Sequence, residues 1–288
     1  MTAKYPEYPP STQMNNGAKT TKVTILAGGL GTRFAEETDL KPKPMISVGE
    51  FPILCHLMKY FSAFSFENFF VATGYKGEVI RSYFANYHTT SGSIMVDLGT
   101  GEVKNYAVPP EQWKVHLFDT GLMTQTGGRI KRMEEWLCGP EPFIVTYGDG
   151  LADIDLHALV SFHKSHGKLA TVTAVRPPAR YGAINFDGDR VESFSEKPQA
   201  GEGWINGGFM VFNQEIFDYL HNDHDILERA GLERIAADGE LMAFRHYGYW
   251  QCMDTLRDKI HLEEAWESGN APWKIWGERT ALKIVRAA

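Results

Sequence analysis

From residue 22 onward the sequence alternates two apolar patterns, and that alternation limits the possible folds more than any other feature. Lys22–Leu26 (KVTIL), Asn68–Ala72 (NFFVA), Phe143–Tyr147 (FIVTY) and Leu169–Val175 (LATVTAV) are short, rich in β-branched and aromatic residues, and nearly continuous in hydrophobicity. Such runs predict strands buried on both faces. Trp113–Phe118 alternates in the manner of a half-buried strand. Between these runs, Pro52–Phe64, Gly77–Tyr87, Gly128–Leu137 and Asp155–His166 have helical length, with Val79, Ile80, Tyr83 and Phe84 at the spacing of one helix face. Beyond Pro177 the rhythm changes. Ala183–Phe186, Val191–Ser195 and Ile205–Phe212 predict strands separated by turn-length gaps, before helices return at Ile226–Ala237 and Leu256–Ser268.

Buried strands separated by helices predict an α/β fold: a Rossmann-like mixed, mostly parallel sheet flanked by helices, with a smaller β-rich insertion around 177–212. There is no internal repeat and no linker able to divide the chain. Residues 22–288 are therefore expected to form a single domain, and residues 1–21, polar and bearing Pro6, Pro9 and Pro10, a flexible extension without the apolar core of a signal peptide. Of 288 residues, Lys+Arg number 29 and Asp+Glu 36, a net charge of −7. That balance disfavours nucleic acid as a partner, since a phosphate backbone demands a basic face. The longest apolar stretch, Phe51–Phe64, is broken by His56 and Lys59 and falls short of the roughly 20 residues that cross a bilayer. Cys55, Cys138 and Cys252 form no CxxC pair, which fits buried thiols and a cytoplasmic location.

In open α/β sheets, ligands sit beyond the carboxyl ends of the strands. The first strand runs into Gly28–Gly29–Leu30–Gly31–Thr32–Arg33, where glycines allow backbone N–H groups to approach a phosphate and Arg33 adds a cation. The loop lacks the Lys-Ser/Thr pair of a P-loop and the third glycine of a dinucleotide fingerprint. It suits a triphosphate. Lys41 and Lys43, each before a proline, are expected in extended backbone, pointing into the same crevice. Asp149 follows FIVTY in a Gly-Asp-Gly turn and Asp254 opens the last helix; together they would satisfy Mg²⁺, which takes one or two carboxylates plus substrate phosphates. Their plainer readings are a turn and a helix N-cap. Glu196, Lys197 and Asn206 end or interrupt strands of the β-rich portion, where Lys197 could meet a phosphate and the other two could bond hydroxyls. His157, His163 and His166 share a helix but have no partner cluster, so they are expected to be solvated. Trp113, Trp136 and Phe143 are expected in the core. No GxSxG elbow is present.

The segments LAGGLGTRF, KPKPM, YGDG, SEKP, WINGGF and QCMDTLRDK, in that order between Lys22 and Trp276, resemble the sugar-1-phosphate nucleotidyltransferases. The doubled KPKP, the TGGR at Thr126–Arg129 and the GELMAF…MDTLRDK ending are similar to the cytidylyl branch. The resemblance implies the nucleotide-diphospho-sugar transferase type of fold, with CTP and glucose 1-phosphate as substrates, Mg²⁺ as cofactor and a homo-oligomer. It places Leu26, Ala27, Gly28, Gly29 and Gly31 against the nucleotide through backbone groups, with Thr32, Arg33 and Lys43 facing the triphosphate. Thr124, Arg129 and Gly148 would surround the nucleotide, Asp149 and Asp254 would ligate the metal, and Glu196, Lys197, Asn206 and Gly207 would line the sugar-phosphate side. Arg33, Lys43 and Lys197 are the catalytic candidates. Phe34, where the family loop usually has Leu, is expected to pack beneath the loop. The same chemistry with another nucleotide or hexose, and a catalytically silent nucleotide-binding subunit, are the alternatives; a dinucleotide oxidoreductase is more distant.

Overall fold

The computed structural model describes residues 18–106, 111–177, 183–187, 190–195 and 203–277. Seven strands form the main sheet: β1 (Lys22–Ala27), β2 (Asn68–Thr73), β3 (Lys114–Asp119), β4 (Phe143–Tyr147), β5 (Ala170–Val175), β6 (Ile205–Phe212) and β7 (Leu241–Arg245). Their spatial order is β7-β5-β6-β4-β1-β2-β3. β1 pairs in parallel with β2 and β4, β2 with β3, and β5 with β7. β6 alone runs the other way, antiparallel to both β4 and β5. The third strand expected in the β-rich insertion thus belongs to the central sheet. A buried strand of eight residues reads the same whichever sheet it joins, so the sequence pattern could not assign it. Ala183–Asp187 and Arg190–Ser195 do form a separate antiparallel pair.

The inner strands are apolar because both faces are covered, whereas the edge strands β3 and β7 are partly exposed. On one face, Val23, Ile25, Phe69 and Val71 pack with α1 (Ile53–Ala63) and α4 (Leu156–His166); on the other, Phe70, Val145 and Met210 pack with Ile130, Met133 and Leu227. α1 is buried over nearly its whole length, which is why its sequence is apolar apart from the buried His56 and Lys59 and the terminal Ser62. α4 begins at Asp155, whose carboxylate accepts from the Ala158 N–H, and ends at Gly167 in the left-handed conformation. The remaining helices used below are α2 (Gly77–Ala85), α3 (Thr126–Lys131) and α5 (Leu256–Glu267). The stretch expected as one helix over Gly128–Leu137 is broken into α3 and a short turn at Glu134–Leu137.

Three side chains depart from expectation. His163 is buried, not solvated: one ring nitrogen meets Thr171 Oγ1 at 2.9 Å and the other Asn213 Oδ1 at 3.1 Å. Trp136 is 46% exposed at the end of its short helix, and Cys138 is also exposed, whereas Cys55 is buried. Phe34 packs beneath its loop as expected, and Ala18 is already buried against the core ahead of β1. Residues 1–17 lie outside the described set. Among the described residues, no helix is long and apolar enough to cross a membrane.

Candidate active site

The carboxyl ends of β1 and β4 open into a cleft of about 610 Å³. Its floor is the glycine loop after β1, which is shaped from outside. Arg129 on α3 is 4% exposed, and its guanidinium donates to Gly28 O (2.9 Å), Gly121 O (2.8 Å), Thr73 O (3.1 Å) and Thr120 Oγ1 (2.7 Å). Burial lowers the Arg129 pKa, with Arg132 adding to the effect, yet a guanidinium remains charged. It ties the ends of β1, β2 and β3 into one unit. A Cβ on Gly28 would lie 2.2 Å from Arg129 Nη1, so this glycine is required by the clamp. Gly31 has a φ of +65° and faces Thr38, so it is required by the turn. A Cβ on Gly29 would meet nothing within 4 Å, so the space on that side of the loop is open to the cleft.

The turn after β2 grips the same loop. Tyr75 N–H donates to Gly28 O at 3.2 Å, its hydroxyl donates to Thr38 O at 3.2 Å, and Lys76, in the left-handed conformation, donates to Thr38 O and Asp39 O.

Opposite the loop stands a lysine between two carboxylates. Lys43 Nζ lies 2.6 Å from Asp149 Oδ2 and 2.6 Å from Asp254 Oδ1. The convergence of two aspartates 105 positions apart comes from a second, two-stranded sheet: Gly150–Ala152 pairs antiparallel with Trp250–Cys252, and Met253 N–H donates to Asp149 O at 2.9 Å. Lys43 is the first residue of a 3-10 turn, Lys43–Met45, and not part of an extended segment; Pro42 before it supplies the extended backbone. Burial works against the Lys43 ammonium, but the charges and hydrogen bonds of Asp149 and Asp254 outweigh it and raise the pKa. Asp254 is not the helix cap. Thr255 caps α5, in a capping box with Asp258, and the Asp254 carboxylate turns toward Lys43.

The far wall comes from β4, β6 and a π-helical segment, Leu227–Glu233. Glu228 accepts from Thr126 Oγ1 at 2.9 Å and from the Tyr147 hydroxyl, and Leu227 N–H donates to Thr126 Oγ1 at 2.9 Å. Asn206 Oδ1 accepts from Gly208 N–H at 2.9 Å, holding a bulge in β6, and Gly207 O accepts from Trp250 Nε1 at 2.7 Å. The cleft therefore has a backbone-rich floor, a lysine–carboxylate group on one side and hydrogen-bonding side chains on the other. Floor and cation suit phosphates; the side wall suits hydroxyls and amines.

The profile of the nucleotidyl transferase family (Nucleotidyl transferase) matches residues 22–251, which include every element of this cleft up to Gln251. The chain belongs to the nucleotidyl transferase family. The glucose-1-phosphate cytidylyltransferase of Salmonella typhi is 49% identical over 255 residues, covering 88% of this chain and 99% of that protein. The probable glucose-1-phosphate cytidylyltransferase of Bacillus subtilis is 40% identical over 256 residues, covering 88% of this chain and 100% of that one. The crystal structure of HddC from Yersinia pseudotuberculosis complexed with GMP-PN superposes with a TM-score of 0.62 at 24% identity, over 86% of this chain and all of that one, which bears on the fold alone.

In this nucleotidyl transferase, the cleft brings together Leu26, Ala27, Gly28, Gly29, Gly31 and Thr32 on the floor with Lys43, Asp149 and Asp254. Thr124, Arg129, Gly148 and Asn206 also line it. Gly148 is tight: a Cβ there would meet Leu26 O and Pro44 Cγ at 3.2 Å. Gly207 is not in the lining; it is pressed against Val175, where a Cβ would come within 2.6 Å. Lys41 is likewise outside the lining. Glu196, Lys197 and the side chain of Arg33 lie outside the described set. Tyr147, Glu228, Trp250 and Cys252 line the cleft without having been anticipated. The period of two in Trp250, Cys252 and Asp254 was a usable signal, because alternate residues of a strand share a face. Nothing in the sequence marks Glu228.

Proposed function

We propose that this chain transfers the cytidylyl group of CTP to glucose 1-phosphate, releasing pyrophosphate and forming CDP-glucose. What carries the reading is the shared cleft: a glycine loop open on its ligand side at Gly29, facing Lys43 and two convergent aspartates. Full-length similarity to glucose-1-phosphate cytidylyltransferases supports the choice of substrates.

The chemistry needs few groups. A phosphate oxygen of the hexose 1-phosphate attacks the α-phosphorus of CTP in line; the new O–P bond forms as the bond to the bridging oxygen of the β-phosphate breaks, and pyrophosphate leaves with that electron pair. A phosphate monoester has its second pKa near about 6, so the nucleophile is anionic at neutral pH and no general base is required. The obstacle is bringing two polyanions together. Loop N–H groups and the cations Arg33, Lys43 and Lys197 neutralise and align them, while Glu196 and Asn206 take sugar hydroxyls.

Nucleotidyl transferases generally use a divalent metal. The donors here fit Mg²⁺: two hard carboxylates that already converge on one cation, and no third His, Cys, Asp or Glu grouped with them among the described residues. Mg²⁺ commonly keeps such a sparse protein shell and completes it with phosphate oxygens and water. Asp149 and Asp254 would hold it, and it would supply Lewis-acid stabilisation of the charge on the phosphates.

The test is pyrophosphate release with glucose 1-phosphate and Mg²⁺, comparing CTP, UTP, dTTP, ATP and GTP. A strong preference for CTP is expected, with Asp149→Asn folded but inactive. Preference for another nucleotide would overturn the cytidylyl assignment; nucleotide binding without release from any of them would point to a silent subunit.

A further inference from the structure

Glu228 is the one cleft residue whose position depends on a π-helical turn among the described residues, a backbone form that recurs at functional sites because it re-aims a single side chain. Its carboxylate takes the hydroxyl protons of two other lining residues from different elements, Thr126 at the start of α3 and Tyr147 at the end of β4. That arrangement fixes the direction of hydrogen bonding. A hydroxyl can donate once and accept; an ionised carboxylate can only accept. With both protons directed to Glu228, the Tyr147 and Thr126 oxygens have only lone pairs to offer; Thr126 spends one on Leu227 N–H, and Tyr147 takes a hydrogen bond from the Asn206 amide. Each carboxylate oxygen also keeps lone-pair capacity. Glu228, Tyr147 and Thr126 therefore offer a ligand acceptors, the neighbouring Asn206 amide being turned to Tyr147.

We propose that Glu228 is a specificity-determining residue: by holding Tyr147 and Thr126 as acceptors, it makes the cleft select a substrate group that donates hydrogen bonds and reject one that presents a lone pair there. This deepens, and rests on, the cytidylyltransferase reading. Three donors of those substrates have the required chemistry: the exocyclic amine of cytosine, a ribose hydroxyl and a hexose hydroxyl. A phosphate oxygen does not, and the carboxylate turns the triphosphate toward the glycine loop and Lys43.

The experiment compares wild type with Glu228→Gln, which keeps the shape but places an N–H₂ donor in the wall, across three pairs. CTP against UTP exchanges the 4-amine donor for a carbonyl and the N3 acceptor for an N–H; CTP against dCTP, and glucose 1-phosphate against its deoxy analogues, each remove one hydroxyl donor. kcat/KM is measured for each, together with nucleotide Kd by calorimetry. Loss of one charge-assisted hydrogen bond is worth about ten- to hundredfold in discrimination. The ratio for one pair is expected to fall toward unity by that factor in Glu228→Gln, the other two changing by less than about threefold; the affected pair identifies the donor. Tyr147→Phe, which removes one acceptor and leaves Glu228 in place, is expected to lower the same ratio, and serves if Glu228→Gln does not unfold cooperatively. Equal losses for both members of every pair would show a structural role only and overturn the proposal. A wild-type protein that turns over no nucleotide would refute the reaction instead, and the Kd ratios for CTP, UTP and dCTP would still decide the role of Glu228 in nucleotide selection.

Discussion

His56 offers a quantitative test of how the core behind the cleft is assembled. It lies fully buried in α1, surrounded by Phe51, Trp266, Trp273 and Trp276. Trp273 Nε1 donates to His56 Nδ1 at 3.2 Å, and the other ring nitrogen, Nε2, meets Val48 O at 2.7 Å. An indole can only donate and a carbonyl can only accept, so Nδ1 carries no proton and Nε2 does: the ring is neutral. Burial, reinforced by Lys59 and Lys274 against the favourable bond to Val48, pushes its pKa down to about 4 from 6.5. The unfolded chain therefore binds a proton near pH 6.5 that the native protein refuses until about pH 4, and stability must fall as pH falls across that window. The full difference of about 2.5 units corresponds to about 3 kcal/mol, of which about 2 kcal/mol is lost between pH 7 and pH 5. Urea unfolding followed by tryptophan fluorescence at those two pH values, in wild type and His56→Gln, isolates the effect, because the carboxylates titrate alike in both. Glutamine can donate to Val48 and accept from Trp273 without titrating. The wild type is expected to lose about 2 kcal/mol more than the variant over this interval. An equal loss in both proteins would refute the neutral, buried assignment.

Three further outcomes follow from the cleft. Lys43→Met removes the cation shared by Asp149 and Asp254; turnover should be lost, the nucleotide-free protein should be destabilised by about 3–5 kcal/mol, and Mn²⁺ should raise its melting temperature more than it raises that of wild type. Equal shifts would show that Lys43 does not compete for the metal position. Gly28→Ala, with its Cβ 2.2 Å from Arg129, should cost about 1–3 kcal/mol in thermal or urea unfolding. Gly29→Ala, with open space around its Cβ, should leave stability within about 0.5 kcal/mol while weakening CTP binding in calorimetry; unchanged affinity would mean the ligand does not approach that position.

How far the sequence disclosed this arrangement depended on the range of the interaction involved. β1, β2, β4 and β5 were legible because burial on both faces leaves a nearly unbroken apolar run, and the glycine loop because its residues are contiguous. What was hidden depended on distant pairing. Ile205–Phe212 announces itself as a strand but not its place between β4 and β5. Asp149 and Asp254 meet through the pairing of Gly150–Ala152 with Trp250–Cys252, which no local pattern encodes. His163 was expected to be solvated because it has no partner Cys/His cluster, yet Thr171 and Asn213 satisfy both its nitrogens from other elements. Lys43 was expected in extended backbone because a proline follows it, but the constraint is a bias, and the turn at Lys43–Met45 overrides it. Glu228 was illegible for another reason: the sequence predicts an ordinary helix over Ile226–Ala237, whereas Leu227–Glu233 is π-helical and only Arg234–Ala237 is α-helical, which changes the residues that face the cleft.

The Arg129 clamp has a consequence for attempts to re-engineer such an enzyme. Because the contour of Gly28–Gly31 is dictated by a guanidinium reaching across from α3 and by the turn after β2, the loop is not a self-contained cassette. Grafting a different nucleotide loop onto β1 alone would transplant residues without the mould that shapes them. The smallest unit that can be exchanged between scaffolds is the loop together with the Gly74–Gly77 turn and the Thr120–Arg129 segment, three pieces of chain that have to change as one.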